Sequence, residues 1–360
     1  MIDYDKEKAI NYSLLKEYYH SLPRAKAAWE RMQEPKSPIV KSHFQIGTLV
    51  DMYLTEPHKL TESIILCNKI PSEKLGDMTE NYLKLTQHLL ELHGEDHGLD
   101  PNTLVLQARE NVGYDKRLGD AKVIERFWSE CGDYIEVVEQ AKAEDKMVVT
   151  QETLDRAGEL ADTLANGEYT WKYFSDDYER FSQVEIFWSL NGVEFKNKLD
   201  LVLVNKESKQ IILTDVKTYG GDFVYNYFEY SYWLQDIMYK APFELFKENK
   251  HTLFENTDFS LQINSPNEEL IKYMNSSAYV LARGFVFLTV DTTGVNVPAP
   301  FISMRSAIPS MNSFSIRHKV TNEVINYEGW WNKATELWRH ISDDNWTIPI
   351  ELQQNKCIML

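Results

Sequence analysis

An acidic residue and a lysine lie two positions apart in the segment Thr214-Asp215-Val216-Lys217. The segment follows an apolar run at 211–213, which is typical of a buried strand. Strand side chains alternate between the two faces, so Asp215 and Lys217 lie on the same face. The carboxylate can bind a divalent cation, and the ammonium group beside it can stabilise a developing negative charge.

The same spacing occurs elsewhere, for example at Asp120-x-Lys122 and Glu194-x-Lys196. The spacing alone is therefore a weak signal. A solvated strand face with an incidental ion pair is the plain alternative. The position of Asp215 at the end of an apolar strand favours the chemical interpretation.

Two turns predict which residues face this segment. Asn191-Gly192, between strand-like runs at 183–190 and 193–204, indicates a two-residue type I′ hairpin. Glu185 then faces Lys198 on the neighbouring strand, and Gln183 faces Asp200.

The second turn is interpreted as a four-residue loop at 206–209, which places Asp200 opposite Asp215 in a three-stranded antiparallel meander. Asp200 and Glu185 become diagonal neighbours, about 7–8 Å apart at the backbone. A one-residue slip would move the facing side chains to the other side of the sheet. With this register, one patch contains Glu185, Lys198, Asp200, Asp215 and Lys217.

This composition suits phosphodiester hydrolysis, which needs an activated water, neutralised charge in the transition state and a stabilised leaving oxygen. We expect Asp200, Asp215 and Glu185 to bind one or two Mg²⁺ ions, with Mn²⁺ as a substitute and the Val216 carbonyl as a further ligand. Lys217 would orient or activate the attacking water, or stabilise the developing charge.

Motifs outside the meander occur in a recognisable order. Together they resemble the PD-(D/E)XK nuclease superfamily, and within it the RecB-type exonuclease branch that includes lambda exonuclease and exodeoxyribonuclease VIII. The likeness covers most of the chain and is weakest at 67–147. It is carried by Tyr12-Ser13-Leu14-Leu15-Lys16, Gly47-Thr48-Leu49-Val50-Asp51 with Leu54-x-Glu56-Pro57, Glu185, Asp200, Asp215-Val216-Lys217, Gln235-x-x-x-Tyr239, the stretch 148–164 and Trp346.

The resemblance implies an α/β fold with a restriction-endonuclease-like core, in which helices flank a central mixed sheet and a helical insertion is added. Along the chain we expect an N-terminal helical part at 1–66, a mostly helical insertion or lobe at 67–180, and the catalytic core with the terminal helix at 181–360. The resemblance also implies a Mg²⁺-dependent DNA exonuclease that digests linear duplex DNA from the 5′ end in phage-type recombination or DNA processing. A homo-oligomer and a partner single-strand annealing protein are implied as well.

The same resemblance gives Gln235 a catalytic position on a helix that follows the core sheet. Gln235 and Tyr239 are four residues apart and therefore share one helical face. Tyr239 is either a DNA contact or a core residue. The chain departs from the family at Asp51, where the family has a histidine. Asp51 is either a further metal ligand or a sign of altered or lost activity.

Further DNA contacts are expected on the same face and in the loop after the strand. Lys198 shares the face of the carboxylates, Thr218 can bind a phosphate, and Tyr219 can stack on a base beside Gly220-Gly221. Core packing is the alternative for most aromatic residues in 219–233.

The overall charge of −17 weighs against nucleic-acid binding, because Lys and Arg supply most non-specific affinity for phosphates. Bound cations offset part of this charge.

The three cysteines are far apart, and neither a secretory signal nor an apolar run long enough for a membrane span is evident, so a cytoplasmic protein is expected. A non-catalytic DNA- or protein-binding protein on a nuclease fold, and a structure-specific endonuclease, are the competing functions.

Overall fold

A mixed β-sheet forms the centre of one of two structural units. The computed structural model of the chain describes residues 2–33, 42–93, 100–247, 258–317, 322 and 324–347. One unit combines residues 1–35 with 160–360, and the other comprises residues 36–159. We call them the sheet unit and the helical unit. The predicted insertion, 67–180, overlaps the helical unit, but the structural division falls earlier at both ends.

The described strands are numbered in chain order. They are β1 (Ile64–Cys67), β2 (Met147–Thr150), β3 (Tyr178–Leu190), β4 (Val193–Asn205), β5 (Gln210–Tyr219), β6 (Phe259–Ile263), β7 (Val280–Leu281), β8 (Phe285–Asp291), β9 (Ala299–Ser303), β10 (Ser313–Arg317) and β11 (Val324–Glu328).

The helices are numbered in the same way. They are α1 (Tyr12–His20), α2 (Leu22–Arg31), α3 (Ser42–Thr55), α4 (Leu60–Ser63), α5 (Glu73–His93), α6 (Pro101–Val112), α7 (Asp120–Ala143), α8 (Gln151–Ala165), α9 (Phe223–Glu229), α10 (Tyr232–Lys247), α11 (Leu270–Asn275) and α12 (Trp330–Ser342). Short 3₁₀ helices lie at Pro57–Lys59 and Trp171–Phe174. Within the part of the chain that the structure describes, no helix has the length and apolarity required to cross a bilayer.

The central sheet has the order β6-β3-β4-β5-β8-β9, with β7 also beside β5. Strands β3, β4 and β5 form the predicted antiparallel meander, whereas β8 runs parallel to β5. Both predicted turn registers are confirmed, because Leu190 pairs with Val193 and Asn205 pairs with Gln210. The fold is therefore α/β with a mixed sheet flanked by helices.

The first turn has the backbone that its sequence predicts. Asn191 has a φ of 48° and Gly192 a φ of 77°, and a type I′ turn requires positive φ at both central positions. Asn and Gly tolerate this conformation better than other residues. The hairpin register, and with it the pairing of Glu185 with Lys198, follows from this turn.

Helix α10 packs on the sheet through an almost continuous buried surface. Its central residues from Trp233 to Met238 are all buried, including the polar Gln235 and Asp236. The amide of Asn197 on β4 donates to the Met238 carbonyl at 2.8 Å and joins the helix to the sheet. This contact fixes which residues of α10 reach the end of β5.

Two details differ from the sequence prediction. The aromatic-rich sequence of 227–247 predicts one helix, but Ser231 has a φ of 57° and separates α9 from α10. Ser13, before Leu14-Leu15-Lys16-Glu17, is predicted to cap the first helix, but it lies inside α1. Asn11 is the cap, with an extended backbone and a side chain that accepts from Leu14 N at 2.8 Å.

The helical unit contains α3–α7 and a short parallel pair of strands, β1 and β2. Its core is formed by one face each of α5, α6 and α7, including Met78, Val105 and Phe127. Thr150 precedes a helical pattern with Glu152 in its first turn and is a predicted cap; the structure confirms it, because the Thr150 hydroxyl accepts from Thr153 N at 3.2 Å. The thiols of Cys67 and Cys131 are buried and free, and Cys357 lies outside the described residues.

Gly329 provides a test of the packing at the start of α12. A Cβ atom at this position would lie 1.9 Å from the Met311 carbonyl oxygen, so backbone would have to move. We expect Gly329→Ala to lower the free energy of unfolding by about 3 kcal/mol in a urea titration. Gly220→Ala is the control, because its Cβ would make an ordinary 3.7 Å contact with Thr292. Equal stability of the two variants would contradict this packing.

Candidate active site

Strands β4 and β5 separate at the point where the predicted carboxylates lie. Their backbone pairing ends at Leu201 and Thr214, so Asp200 and Asp215 do not form the next pair of the ladder. Instead, the Val216 N–H donates to the Asp200 side chain at 2.7 Å. The Asp200 carboxylate thus accepts the hydrogen bond that a strand carbonyl would otherwise accept. This bond holds Asp200 beside the segment that contains Asp215.

Asp200 also departs from its expected backbone pairing with β3. Gln183 is absent from the β3–β4 ladder, although Ser182 and Val184 on either side of it are paired in the predicted register. The reason is its backbone, which has a φ of 49°. The register is therefore as predicted, while the backbone ladder is interrupted on both sides of Asp200.

Asp215 is a buried carboxylate with a specific set of partners. Its side chain is 2% exposed, Gln235 Nε2 donates to its Oδ1 at 2.7 Å, and its Oδ2 forms an ion pair with the Lys217 ammonium. Burial raises the pKa of Asp215, and the Lys217 ammonium and the hydrogen bonds from its neighbours oppose that rise. These partners favour the ionised form of Asp215, which burial alone would disfavour.

Lys217 remains accessible, with 18% of its side chain exposed. Although burial opposes it, the carboxylates of Asp215 and Asp200 raise the pKa of Lys217 above its usual value. The ammonium also lies over the Tyr232 ring, 5.1 Å from the centroid. The site therefore contains a lysine that stays protonated at neutral pH.

Helix α10 contributes an amide to the site. Gln235 is 4% exposed, and its Oε1 accepts no hydrogen bond from the described residues. A buried acceptor of this kind requires a partner such as water or a ligand. Tyr239 follows one turn later and is partly buried; burial, and then the charge of Asp215, raise its pKa.

Glu185 lies on β3 with both carboxylate oxygens close to donors. Lys198 Nζ is 3.4 Å from Oε1, and Asn264 Nδ2 donates to Oε2 at 3.0 Å. Among the described residues no three Asp, Glu, His or Cys side chains form a metal-ligand group. Glu185 therefore does not form a three-ligand group with Asp200 and Asp215. The role of Glu185 as a metal ligand stays a prediction.

The donor set nevertheless fits Mg²⁺. This ion usually binds one or two protein carboxylates and keeps several waters. Asp200 and Asp215 provide two carboxylates, and the unpaired Gln235 Oε1 next to Asp215 can accept from a metal-bound water. A divalent cation would also relieve the cost of burying Asp215.

The other predicted residues occupy different settings. Thr218 and Tyr219 end β5, and the Tyr219 ring packs edge-on against Phe223 with centroids 5.4 Å apart, which favours packing for part of that ring. Asp51 lies on α3 in the helical unit, where its carbonyl accepts from Thr55 Oγ1 at 2.8 Å. The roles of Thr218, Tyr219 and Asp51 stay predictions.

The structure adds residues that the sequence motifs do not indicate. Tyr232 lies three positions before Gln235, in a stretch where core packing is the expectation. Asn264 is 79 positions from Glu185, and no spacing rule links them. A buried carboxylate, Asp236, lies next to Gln235 and faces away from Asp215 toward Tyr227 and Ser303.

Comparison with known proteins adds no relative. No family model matches the chain, and neither the curated proteins nor the solved structures contain a match.

The buried Asp236 provides a stability test. Its Oδ2 accepts from the Tyr227 hydroxyl at 3.1 Å, and that hydroxyl also lies 3.1 Å from Ser303 Oγ. Burial raises the pKa of Asp236 to about 7, against the effects of Ser303, Arg305, Lys240 and Tyr227. The protonated acid is therefore the form that the folded state favours.

Because the pKa of Asp236 is higher in the folded state than in the unfolded chain, its contribution to stability is complete below pH 4 and is lost as the pH rises to 7. We expect wild type to lose up to about 4 kcal/mol relative to Asp236→Asn over that range. Urea titrations between pH 4 and 8 measure the difference. The exposed Asp176→Asn is the control and should follow wild type; a wild-type curve parallel to that of Asp236→Asn would contradict the assignment.

Proposed function

We propose that the chain is a metal-dependent deoxyribonuclease, and specifically an exonuclease that acts on linear duplex DNA. The observation that supports this most strongly is the opening between β4 and β5. There Asp200 accepts from Val216 N, beside the buried Asp215 and its partly exposed partner Lys217. An incidental surface ion pair would not require a buried carboxylate or a broken strand ladder. The order of motifs that resembles PD-(D/E)XK nucleases supports the same function.

Asp200 and Asp215 would hold the cation, with the Val216 carbonyl and Glu185 as further candidate ligands. When bound, one or two Mg²⁺ ions supply an activated water and neutralise charge on the scissile phosphate. Mn²⁺ has the same preference for oxygen ligands and would substitute.

In this proposal Lys217 provides a positive charge beside the scissile phosphate. Its ammonium pairs with Asp215, and 18% of its side chain is exposed. This accessible end can donate to a phosphate oxygen and stabilise the charge that develops there.

Gln235 would orient the water through its unpaired Oε1 while its Nε2 holds Asp215. The amide can perform both tasks because its donor and acceptor are separate atoms. Lys198, Thr218, Tyr219 and Tyr239 remain the candidate DNA contacts. Attack from the 5′ end, a homo-oligomer, a single-strand annealing partner and a role in phage-type recombination follow from the resemblance alone.

Cleavage assays on linear and closed-circular duplex DNA, with Mg²⁺ or Mn²⁺, test the proposal. Wild type should degrade linear DNA and leave circles intact. We expect Asp215→Asn and Lys217→Ala each to reduce the rate by about 10²-fold or more, because each removes a charge from the reacting centre. Lys206→Ala, at an exposed position beyond the end of β4, is the matched control and should retain the wild-type rate.

Each alternative has its own outcome in the same assays. Cleavage of closed circles would favour a structure-specific endonuclease. DNA binding without cleavage under either metal would favour a non-catalytic binding protein. Asp51 in place of the family histidine and the net charge of −17 are the reasons to consider this alternative. Full activity of both Asp215→Asn and Lys217→Ala would show that the site is elsewhere.

A further inference from the structure

The side-chain amide of Asn264 lies between Glu185 and the first residues of the chain. Asn264 is 3% exposed and follows β6. Its Nδ2 donates to Glu185 Oε2 at 3.0 Å and to the Ile2 carbonyl at 2.7 Å. Both amide protons are therefore used, each by a different acceptor.

These contacts fix the orientation of the amide. Turning it over would place Oδ1 against a carboxylate and a carbonyl, and two acceptors facing each other repel. The backbone adds a second connection, because Asn264 N donates to the Glu185 carbonyl at 3.0 Å. Asn264 thus binds both the backbone carbonyl and the side-chain carboxylate of Glu185.

The other acceptor, Ile2, belongs to a segment at 2–10 that we call the N-terminal strap. The strap is held at its far end by two backbone hydrogen bonds between Ile10 and β4, each 2.9 Å long. In between, the ammonium of Lys196, a residue that is 2% exposed, donates to the carbonyls of Tyr4 and Glu7 at 2.7 and 2.8 Å. The strap that contains Ile2 is therefore held to β4 by these four hydrogen bonds.

We propose that Asn264 is a positioning residue that aims the Glu185 carboxylate at the cation of the candidate site, with the N-terminal strap as its support. The inference rests on the proposed function. Carboxylates that bind metals are themselves held by hydrogen bonds, and loss of such a partner typically costs about 10–100-fold in metal affinity or activity. Asn264 holds Oε2, and the cation would replace the Lys198 ammonium that lies 3.4 Å from Oε1.

A matched control lies in the same loop. Asn267 is also buried, and its Nδ2 donates to the Ser182 carbonyl at 2.9 Å, three residues from Glu185 on the same strand. Asn264→Ala and Asn267→Ala each remove buried amide donors that hold β3, but only Asn264 touches the Glu185 carboxylate. Comparable losses of thermal stability are expected for both.

The experiment is calorimetric titration of the DNA-free protein with Mn²⁺. Asn264→Ala should weaken Mn²⁺ binding about 10-fold or more, whereas Asn267→Ala should bind as wild type does. Asn264→Asp, which keeps the side-chain volume and replaces the donor with a charged acceptor, should weaken it at least as much. In the Glu185→Gln background, Asn264→Ala should cause no further loss, because its effect passes through Glu185.

Wild-type Mn²⁺ affinity in both Asn264→Ala and Asn264→Asp would overturn the inference, as would equal weakening by Asn267→Ala. These results leave the proposed function intact if wild type cleaves DNA and Asp215→Asn does not. If wild type neither binds Mn²⁺ nor cleaves DNA, the proposed function fails and the inference fails with it.

Discussion

Burying an ionised carboxylate at the end of β5 is the constraint on which the site depends. An unpaired carboxylate in a protein interior costs several kcal/mol or becomes protonated. Asp215 is 2% exposed and has an ammonium on one oxygen and an amide on the other. These partners come from different elements, so the cost is offset only when β5 and α10 are both in place.

The remaining architecture follows from that requirement. Asn197 ties α10 to β4 and thereby places Gln235 at Asp215. The opening between β4 and β5 frees the Val216 N–H for Asp200 and brings a second carboxylate to the same end of the sheet. With both carboxylates ionised, Asp200, Asp215 and Lys217 together have a net negative charge, which a divalent cation can balance.

Much of this arrangement is predictable from the sequence because it depends on strand periodicity and turn chemistry. Asn191-Gly192 determines the first register, and the loop at 206–209 determines the second. The two registers together are sufficient to predict that Asp200 lies near Asp215. The departures at Gln183 and at Asp200 itself arise from a backbone conformation and a side-chain hydrogen bond, which alternation of residue types does not encode.

Contacts between distant parts of the chain are beyond prediction for a different reason. Asn264 reaches Glu185 only because β6 pairs with β3, and a single sequence contains no signal for that pairing. The break at Ser231 depends on one positive φ in a residue that commonly occurs in helices. Asp51 belongs to the helical unit, whereas Asp200 and Asp215 belong to the sheet unit.

Anomalous diffraction from crystals soaked in Mn²⁺ shows whether Asp200 and Asp215 hold a cation, because it locates the ion without relying on activity. We expect one anomalous peak within coordination distance of carboxylate oxygens of both Asp200 and Asp215, and loss of that peak in Asp215→Asn. A peak that touches neither carboxylate, or a site that stays empty at saturating Mn²⁺, would contradict the proposed cation site.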